Sequence, residues 1–418
     1  MCNYYYMNEQ QELAYTYIKQ GKNVFVTGSA GTGKTYFIKT ILQRLKEDFP
    51  DKVVGVTSTT GSSAILINGT TLHSYLGIGI EKDTLSMIKR ICKYKKRNQW
   101  LDTDILIIDE SGMISKDLFE SMDYIGKKFR NNPRLFGGIQ VILCGDFCQL
   151  GCIDSNMFCF ESELWKRFVH KSVIFTQIYR QEDDIFTSIL NRIRLGRIDE
   201  EVMRILKSCV RKYEPTSGQD ITPTRLYPYR KNVDMINNME LRRLIDEKGE
   251  PYHDFPLRTK ANSKIKNKIK EYDNKVFCRN AQVILTVNLD IEAGLVNGSR
   301  GMITKFVNGI PIVTFVNGIT CPIDYYTYTY IQDTDIHEKI TYSQIPLLLG
   351  YAITIHKSQG MTLDCVETNL SDIFDYGQAY VTLSRLRSLK DLWIEDIDFS
   401  KIVCNPKVIQ FYSELTSN

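Results

Sequence analysis

A chain of 418 residues is long enough for two or three domains, and with 43% hydrophobic and 24% charged residues it has a globular composition, not that of a disordered or fibrous chain. The net charge of +4 is too small to mark the whole surface as polyanion-binding, and no long uncharged apolar run reads as a signal peptide or a membrane span. Eleven cysteines, an odd number without a secretory leader, argue against a disulfide framework and for a reducing compartment.

Taken in chain order, Asn8 to Lys19 reads as an amphipathic helix, with Asn8 as N-cap and Gln11 placed to complete a capping box. An apolar β-branched run, Val24 to Val26, then enters Gly28-Ser29-Ala30-Gly31-Thr32-Gly33-Lys34-Thr35. A helical run leaves it through Phe37, Ile38, Ile41, Leu42 and Leu45, which supplies the strand, loop and helix that a P-loop needs. Glycines let backbone N–H groups and a helix N-terminus wrap a polyphosphate, Lys34 reaches the terminal phosphates, and Thr35 offers its hydroxyl to Mg²⁺.

A second buried strand is predicted over Val53 to Thr57, followed by TSTTGSSAILI, whose hydroxyls suit phosphate contact or, equally, capping of the next helix by Thr60 or Ser58. His73, in TTLHSYLGIGI, stands among small and aromatic residues, away from other metal ligands. Lys89, Arg90, Lys93, Lys95, Lys96 and Arg97 form a basic run, and Arg258, Lys260, Lys264, Lys266, Lys268 and Lys270 form another. Both read first as solvated faces and second as nucleic-acid contacts. A third strand, Asp104 to Ile108, ends in Asp109-Glu110. That is the Walker B arrangement, in which Asp109 holds Mg²⁺ and Glu110 polarises the attacking water.

A helix is predicted over Lys116 to Arg130, and a fourth strand over Gly137 to Asp146, running on to Gln149. This strand end is expected beside the P-loop strand, making Gln149 a candidate γ-phosphate sensor. Cys144, Cys148, Cys152 and Cys159 cluster here without a CxxC pair, so buried or idle thiols are expected, not zinc or an iron–sulfur cluster. Arg180 leaves a strand at Val173 to Phe175, ahead of a helix from Ile185 to Leu195. From Ile221 the α/β pattern restarts, with AQVILTVNL as one of its strands. Residues 301–345 alternate strands with Asn-Gly turns, the pattern of a small all-β insert. From Pro346, LLLGYAITIHKSQGMTL and GQAYVTLSRLRSLKDLWI return to α/β.

In order, GSAGTGKT, TSTTGSSA, TTLHSYLGIG, the DES box, FGGIQVILCGDFCQL, YRQ, LVNGSRG, ITIHKSQGMTL and GQAYVTLSR resemble the petite integration frequency (PIF) family of DNA helicases, RecD-like members of superfamily one, class B. The match runs from about Met7 to about Ile394. It implies an α/β fold of two RecA-like parallel-sheet domains of the P-loop NTPase type. The first spans 1–180, with a wedge insertion at about 76–100; the second spans 181–300 and 346–418, interrupted by an SH3-like β insertion at 301–345. The resemblance further implies that Gln11 reads the adenine edge, that Gln359 and Gly360 join the P-loop at ATP, and that Arg180 and Arg385 are arginine fingers. Thr59, Thr60, His73, His356, Lys357 and Ser358 would lie along single-stranded DNA or couple it to the ATP site.

The implied activity is ATP- and Mg²⁺-dependent unwinding, 5′ to 3′ along single-stranded DNA, at duplex junctions, inside the cell and without a membrane. The alternatives are a DNA-stimulated translocase that remodels protein–DNA complexes, an RNA helicase of the same superfamily, and, from another class, a P-loop phosphotransferase. Little chain lies outside the match, so no accessory targeting domain is expected. Three places depart from the family pattern: Ser111-Gly112, Gly151-Cys152 and Leu386.

Overall fold

Asn8 opens helix α1 (Glu9–Lys19) with a full capping box: its side chain accepts from Gln11 N and its own N–H donates to Gln11 Oε1. In the computed structural model the described residues are 6–79, 81–152, 155, 157–181, 183–214, 221–259, 275–330 and 340–417. The chain divides into two compact units. One runs to Arg180 and takes in the residues from Cys404; the other comprises Gln181–Tyr330 and Lys339–Val403.

In the first unit β1 (Val24–Gly28) leads through the P-loop to α2 (Lys34–Asp48), followed by β2 (Val54–Ser58), α3 (Gly61–Leu66), β3 (Thr70–Thr71) and α4 (Leu72–Leu76). Then come α5 (Thr84–Lys93), α6 (Arg97–Asp102), β4 (Ile105–Asp109), α7 (Lys116–Arg130), β5 (Gln140–Cys144) and β6 (Lys171–Phe175). The six strands form one parallel sheet in the order β3-β2-β4-β5-β1-β6. Strands β1, β4 and β5 are buried along their whole length, which is why they read as unbroken apolar runs without alternation. Ala14, Tyr15 and Ile18 of α1 and Phe37, Ile38, Ile41 and Leu45 of α2 close one face over Val24, Val26, Ile107 and Ile142.

The other face carries a cluster of rings in which Phe25 meets Trp165 at 5.3 Å and Phe119 meets Phe168 at 5.1 Å, edge to face. Such pairs add about 0.5–1.5 kcal/mol each beyond the area they bury. Phe411 joins the same cluster, stacked on Phe160 at 4.4 Å and edge-on to Phe147 at 5.3 Å. Its helix, Pro406–Ser417, therefore belongs to the first unit, whereas the sequence assigned 346–418 to the second domain. An amphipathic stretch records that a helix needs an apolar partner, but not which sheet provides it.

In the second unit a parallel sheet orders its strands Ala352–Thr354, Thr224–Tyr227, Val366–Thr368 and Leu392–Ile394. An antiparallel five-stranded sheet follows the order Thr320–Pro322, Ile310–Phe315, Arg300–Val307, Gln282–Leu285, Leu347–Leu349. The β structure thus extends beyond the 301–345 expected for it. Gln282–Leu285, read as an α/β strand, pairs antiparallel with Arg300–Val307, because an apolar run does not encode its neighbour's direction. Asn308-Gly309 forms the expected two-residue hairpin, with φ of 52° and 77° joining Val307 to Ile310.

Candidate active site

The P-loop, Asp109-Glu110 and the turn that leads to Gln149 come together because they follow the carboxyl ends of three adjacent parallel strands, the place where a parallel sheet gathers ligand groups. The P-loop chain passes so close to β6 that a Cβ on Gly28 would collide with the Phe175 carbonyl, and only glycine fits. Lys34 Nζ donates to the carbonyls of Gly28 at 2.7 Å and Ser29 at 3.0 Å, and the buried Thr32 hydroxyl donates to Ser29 O at 2.9 Å. Ala30, Gly31 and Gly33 complete the loop, and Thr35 opens α2.

Asp109 is 3% exposed. Burial first, and the neighbouring Glu110 second, push its carboxyl up to about 7, while the N–H of Glu110 and the charge of Lys34 oppose the shift. Two adjoining carboxylates and the Thr35 hydroxyl are hard oxygen donors, the set that Mg²⁺ prefers. Glu110 itself, directly after β4, stands in the left-handed region at φ 53°, which costs a non-glycine residue about 1 kcal/mol or more. Thr59 is bonded to it: the Thr59 hydroxyl donates to Glu110 O at 2.9 Å and the Thr59 N–H to Asp109 O at 3.2 Å. Thr60 caps α3, accepting from Ser63 N at 3.2 Å. His73 is half-buried in α4, and burial pushes its imidazole below the ordinary value.

Gln149 is 6% exposed, and its N–H donates to Asp146 O at 3.1 Å. Gln11, 1% exposed, turns its amide Nε2 toward Gly33 of the P-loop, 3.3 Å from where a Cβ would stand. The departure Ser111-Gly112 has a steric reason: a Cβ on Gly112 would lie 2.9 Å from Asp146 O, and one on Gly145 2.6 Å from Ser111 Oγ. The turns after β4 and β5 are packed backbone against backbone. Cys144, Cys148 and Cys159 are buried and Cys152 is half-buried, all as free thiols; burial holds Cys144 and Cys159 well above the usual thiol range. Among the described residues no three His, Cys, Asp or Glu side chains gather as metal ligands.

Beside the P-loop, one group escaped the sequence reading. Tyr179 lies beside the P-loop, its N–H donating to Gly31 O at 2.9 Å, its hydroxyl accepting from Asn8 Nδ2 at 2.9 Å, its ring 3.6 Å from the Gly33 Cβ position and its side chain 53% exposed. Its only signal in the sequence is an aromatic residue directly before Arg180.

In the second unit, Thr354 caps the short helix Ile355–Ser358 by accepting from Lys357 N. His356 is half-buried, with burial lowering its pKa and Asp375 opposing. Lys357 is exposed, whereas the Ser358 hydroxyl turns inward to Ile355 O at 2.8 Å. Gln359 is buried and Gly360 has φ 81°. Arg385 is 2% exposed: Nε donates to Val381 O at 2.8 Å, Nη2 to Ser384 Oγ at 2.7 Å, and Nη1 reaches the carbonyls of Ser358 and Met361 at 3.4 Å. It thereby fastens the HKSQG turn to the helix Gln378–Leu383. The rings of Tyr229 and Phe374 stack at 4.9 Å and 15° while remaining 51% and 58% exposed. Sequence reasoning had no signal for this pair, which lies 145 residues apart.

Of the first basic run, Arg90 and Lys93 lie over the Tyr94 ring and Arg97 over that of Phe129. In the second run only Arg258 falls within the described residues, at 3.5 Å from the Tyr325 ring centroid; Lys260, Lys264, Lys266, Lys268 and Lys270 lie outside them.

The family model described as PIF1-like helicase matches residues 6–204, and that of the Pif1 2B domain matches residues 280–306, inside the antiparallel sheet. The Pif1 helicase of Candida albicans has a solved structure 32% identical to this chain, with a TM-score of 0.80 over 98% of this chain and 99% of that one. The chain belongs to the PIF1-like helicase family. A Pif1 from Bacteroides sp in complex with ADP-AlF4 is 28% identical, with a TM-score of 0.81, covering 98% of this PIF1-like chain and 97% of that one. The ATP-dependent DNA helicase PIF1 of Xenopus laevis is 37% identical over 98% of this chain, which spans 64% of that relative's length. An uncharacterised protein of Invertebrate iridescent virus 6 is 34% identical over 99% of this chain and 95% of its own length.

Proposed function

We propose that this PIF1-like chain is an ATP-driven DNA helicase that moves 5′ to 3′ on single-stranded DNA and separates the duplex at a junction. The observation that carries the reading is the convergence of Lys34, Asp109, Glu110 and Gln149 on one sheet edge, in a chain that matches a solved Pif1 helicase along its whole length. Lys34 and the P-loop N–H groups bind the phosphates. Gln11 reads the adenine edge, Tyr179 offers the base a ring face, and Gln359 and Gly360 contribute to the same nucleotide. Glu110 accepts the proton of the attacking water, and Gln149 senses the γ-phosphate. Arg180 and Arg385 act as arginine fingers on charge that develops in the transition state. Thr35 and Asp109 would hold Mg²⁺, whose charge supplies neutralisation of the phosphate oxygens when it is bound.

Toward DNA, we assign Thr59, Thr60, His73, His356, Lys357 and Ser358. For Thr60 and Ser358 the engaged hydroxyls favour a role of backbone and turn geometry. The bond from the Thr59 hydroxyl to the Glu110 backbone carbonyl supports Thr59 as a link to the main chain that carries the catalytic Glu110. Tyr229 and Phe374 supply an exposed stacking face for bases. Among the described residues no helix is long and apolar enough to cross a membrane, and the free cysteines suit a reducing, intracellular setting.

The test is ATP turnover with and without single-stranded DNA, run beside unwinding of duplexes with 5′ or 3′ tails. DNA should stimulate turnover, and only the 5′-tailed duplex should open. Equal opening of both, or a preference for RNA, rejects the assignment.

A further inference from the structure

Strands β1 and β5 are bonded neighbours as far as Val26 and Cys144, and Gly145 N still donates to Val26 O at 3.0 Å. Past that point the strand ends separate, one into the P-loop and the other into the turn toward Gln149. A hydroxyl from the helix Pro406–Ser417 bridges the gap. Tyr412 Oη lies 2.7 Å from Thr27 Oγ1, donates to Asp146 Oδ1 at 3.1 Å and accepts from Phe147 N at 3.2 Å. Thr27, Asp146 and Tyr412 are 0%, 1% and 6% exposed, so these bonds form out of water, where they are strong and their loss is costly.

The protons order themselves. A carboxylate can only accept, so the Tyr412 proton goes to Asp146, and the Thr27 hydroxyl and the Phe147 N–H fill the lone pairs of the phenol oxygen. Asp146 also accepts from Cys148 N at 3.1 Å through Oδ1 and from Gln149 N at 3.1 Å through its backbone carbonyl. A single phenol therefore connects the residue before Gly28 to the peptide units that hold Gln149. Phe411, one residue earlier, anchors the helix in the ring cluster of the same sheet.

We propose that Tyr412 is a positioning residue for ATP hydrolysis, fixing the spacing between the P-loop and Gln149 across the split between β1 and β5. The proposal rests on the helicase reading above. Tyr412 acts through Thr27 and Asp146, so its effect falls on the geometry of the reacting phosphate and much less on the hold on ATP. Displacements of about 1 Å at such a site cost as much as about 10²-fold in rate.

The experiment compares the full chain with Tyr412→Phe, Thr27→Val, the double variant and Val408→Ala. Val408, wholly buried in the same helix, bears no hydroxyl and reports on helix docking alone. Steady-state ATPase at saturating single-stranded DNA is read with KM for ATP, fluorescent-nucleotide affinity and melting temperature. Tyr412→Phe should lower kcat about tenfold with KM and nucleotide affinity within about twofold of wild type. Thr27→Val should do the same, and the double variant should be no worse than either single one, because both remove one shared network. Val408→Ala should lower the melting temperature and leave kcat within about twofold.

If Tyr412→Phe fails to fold, Thr27→Val carries the test. Wild-type kcat in both hydroxyl variants, or an equal loss in Val408→Ala, overturns the positioning role and leaves the helicase reading standing. A wild-type chain that hydrolyses no ATP overturns both.

Discussion

In the proposed mechanism Glu110 and Lys34 do different work, and their variants should separate cleanly. Lys34→Ala removes the cation assigned to the phosphates, so nucleotide affinity should fall. Glu110→Gln keeps the shape and the left-handed backbone but loses the proton acceptor; it should bind ATP and DNA while turnover drops about 10²- to 10⁴-fold. Fluorescent-nucleotide binding beside steady-state ATPase distinguishes them, and near-wild-type turnover in Glu110→Gln removes that residue from its role. The two arginines should separate as well. Arg180→Ala and Arg385→Ala should each reduce DNA-stimulated turnover by roughly 10³ or more. Only Arg385→Ala should also lower the melting temperature, because Arg385 is buried on four partners of its own unit whereas Arg180 is half-buried. Lysine at either position keeps the charge but loses the planar fork, and should rescue poorly. Turnover within a few-fold of wild type in both alanine variants rules out the finger assignment.

At the scale of elements, two turns place the rings of Tyr229 and Phe374 together: the junction between the strand Thr224–Tyr227 and the helix Arg230–Arg242, and the loop before the helix Gln378–Leu383. Neither ring is buried, so replacing it should leave the fold intact. Tyr229→Ala or Phe374→Ala should weaken single-stranded DNA binding by about 1–3 kcal/mol per stacked base lost, with the salt slope unchanged because no phosphate contact is removed. Fluorescence anisotropy against a short oligonucleotide over a salt series measures both quantities. Unchanged affinity in both variants would leave the pair without a DNA role. The same scale explains the hairpin at Asn308-Gly309, where both residues must take positive φ and the sequence announces it.

For the whole molecule, one half-buried cation sets a pH dependence of stability. Lys275 donates to Ile345 O at 2.9 Å and Leu347 O at 2.8 Å, and burial, with Lys357 second, lowers its pKa from 10.5 to about 7. Between these two values the unfolded chain keeps a proton that the folded chain sheds, so raising the pH favours the folded state, by at most about 1.4 kcal/mol per pH unit. Below about pH 7 both states carry the proton and the cost of burying the charge is felt in full. Lys275→Met lacks this titration. Urea unfolding at pH 7, 8.5 and 10 should show wild type gaining on the variant as pH rises, and a constant gap would mean that Lys275 keeps its charge throughout.

Local chemistry with local partners was legible from the residues alone. The Asn8 and Gln11 capping box, the strand, loop and helix around Lys34, the acids ending β4 and the helix Lys116–Arg130 each depend on residues close in sequence, and each stands where its spacing put it. The order of the family's segments likewise carried the fold class. The tertiary structure alone decided which elements share a face. It took Gln282–Leu285 into an antiparallel sheet, docked the helix Pro406–Ser417 in the first unit, stacked Tyr229 on Phe374, and drew Tyr412 between Thr27 and Asp146. Hydrophobic periodicity records how much of a segment must be buried and on which side. It says nothing about the partner, because apolar contact is non-directional and, outside a tight hairpin such as Asn308-Gly309, the bonds that fix direction and register form between segments far apart in the chain.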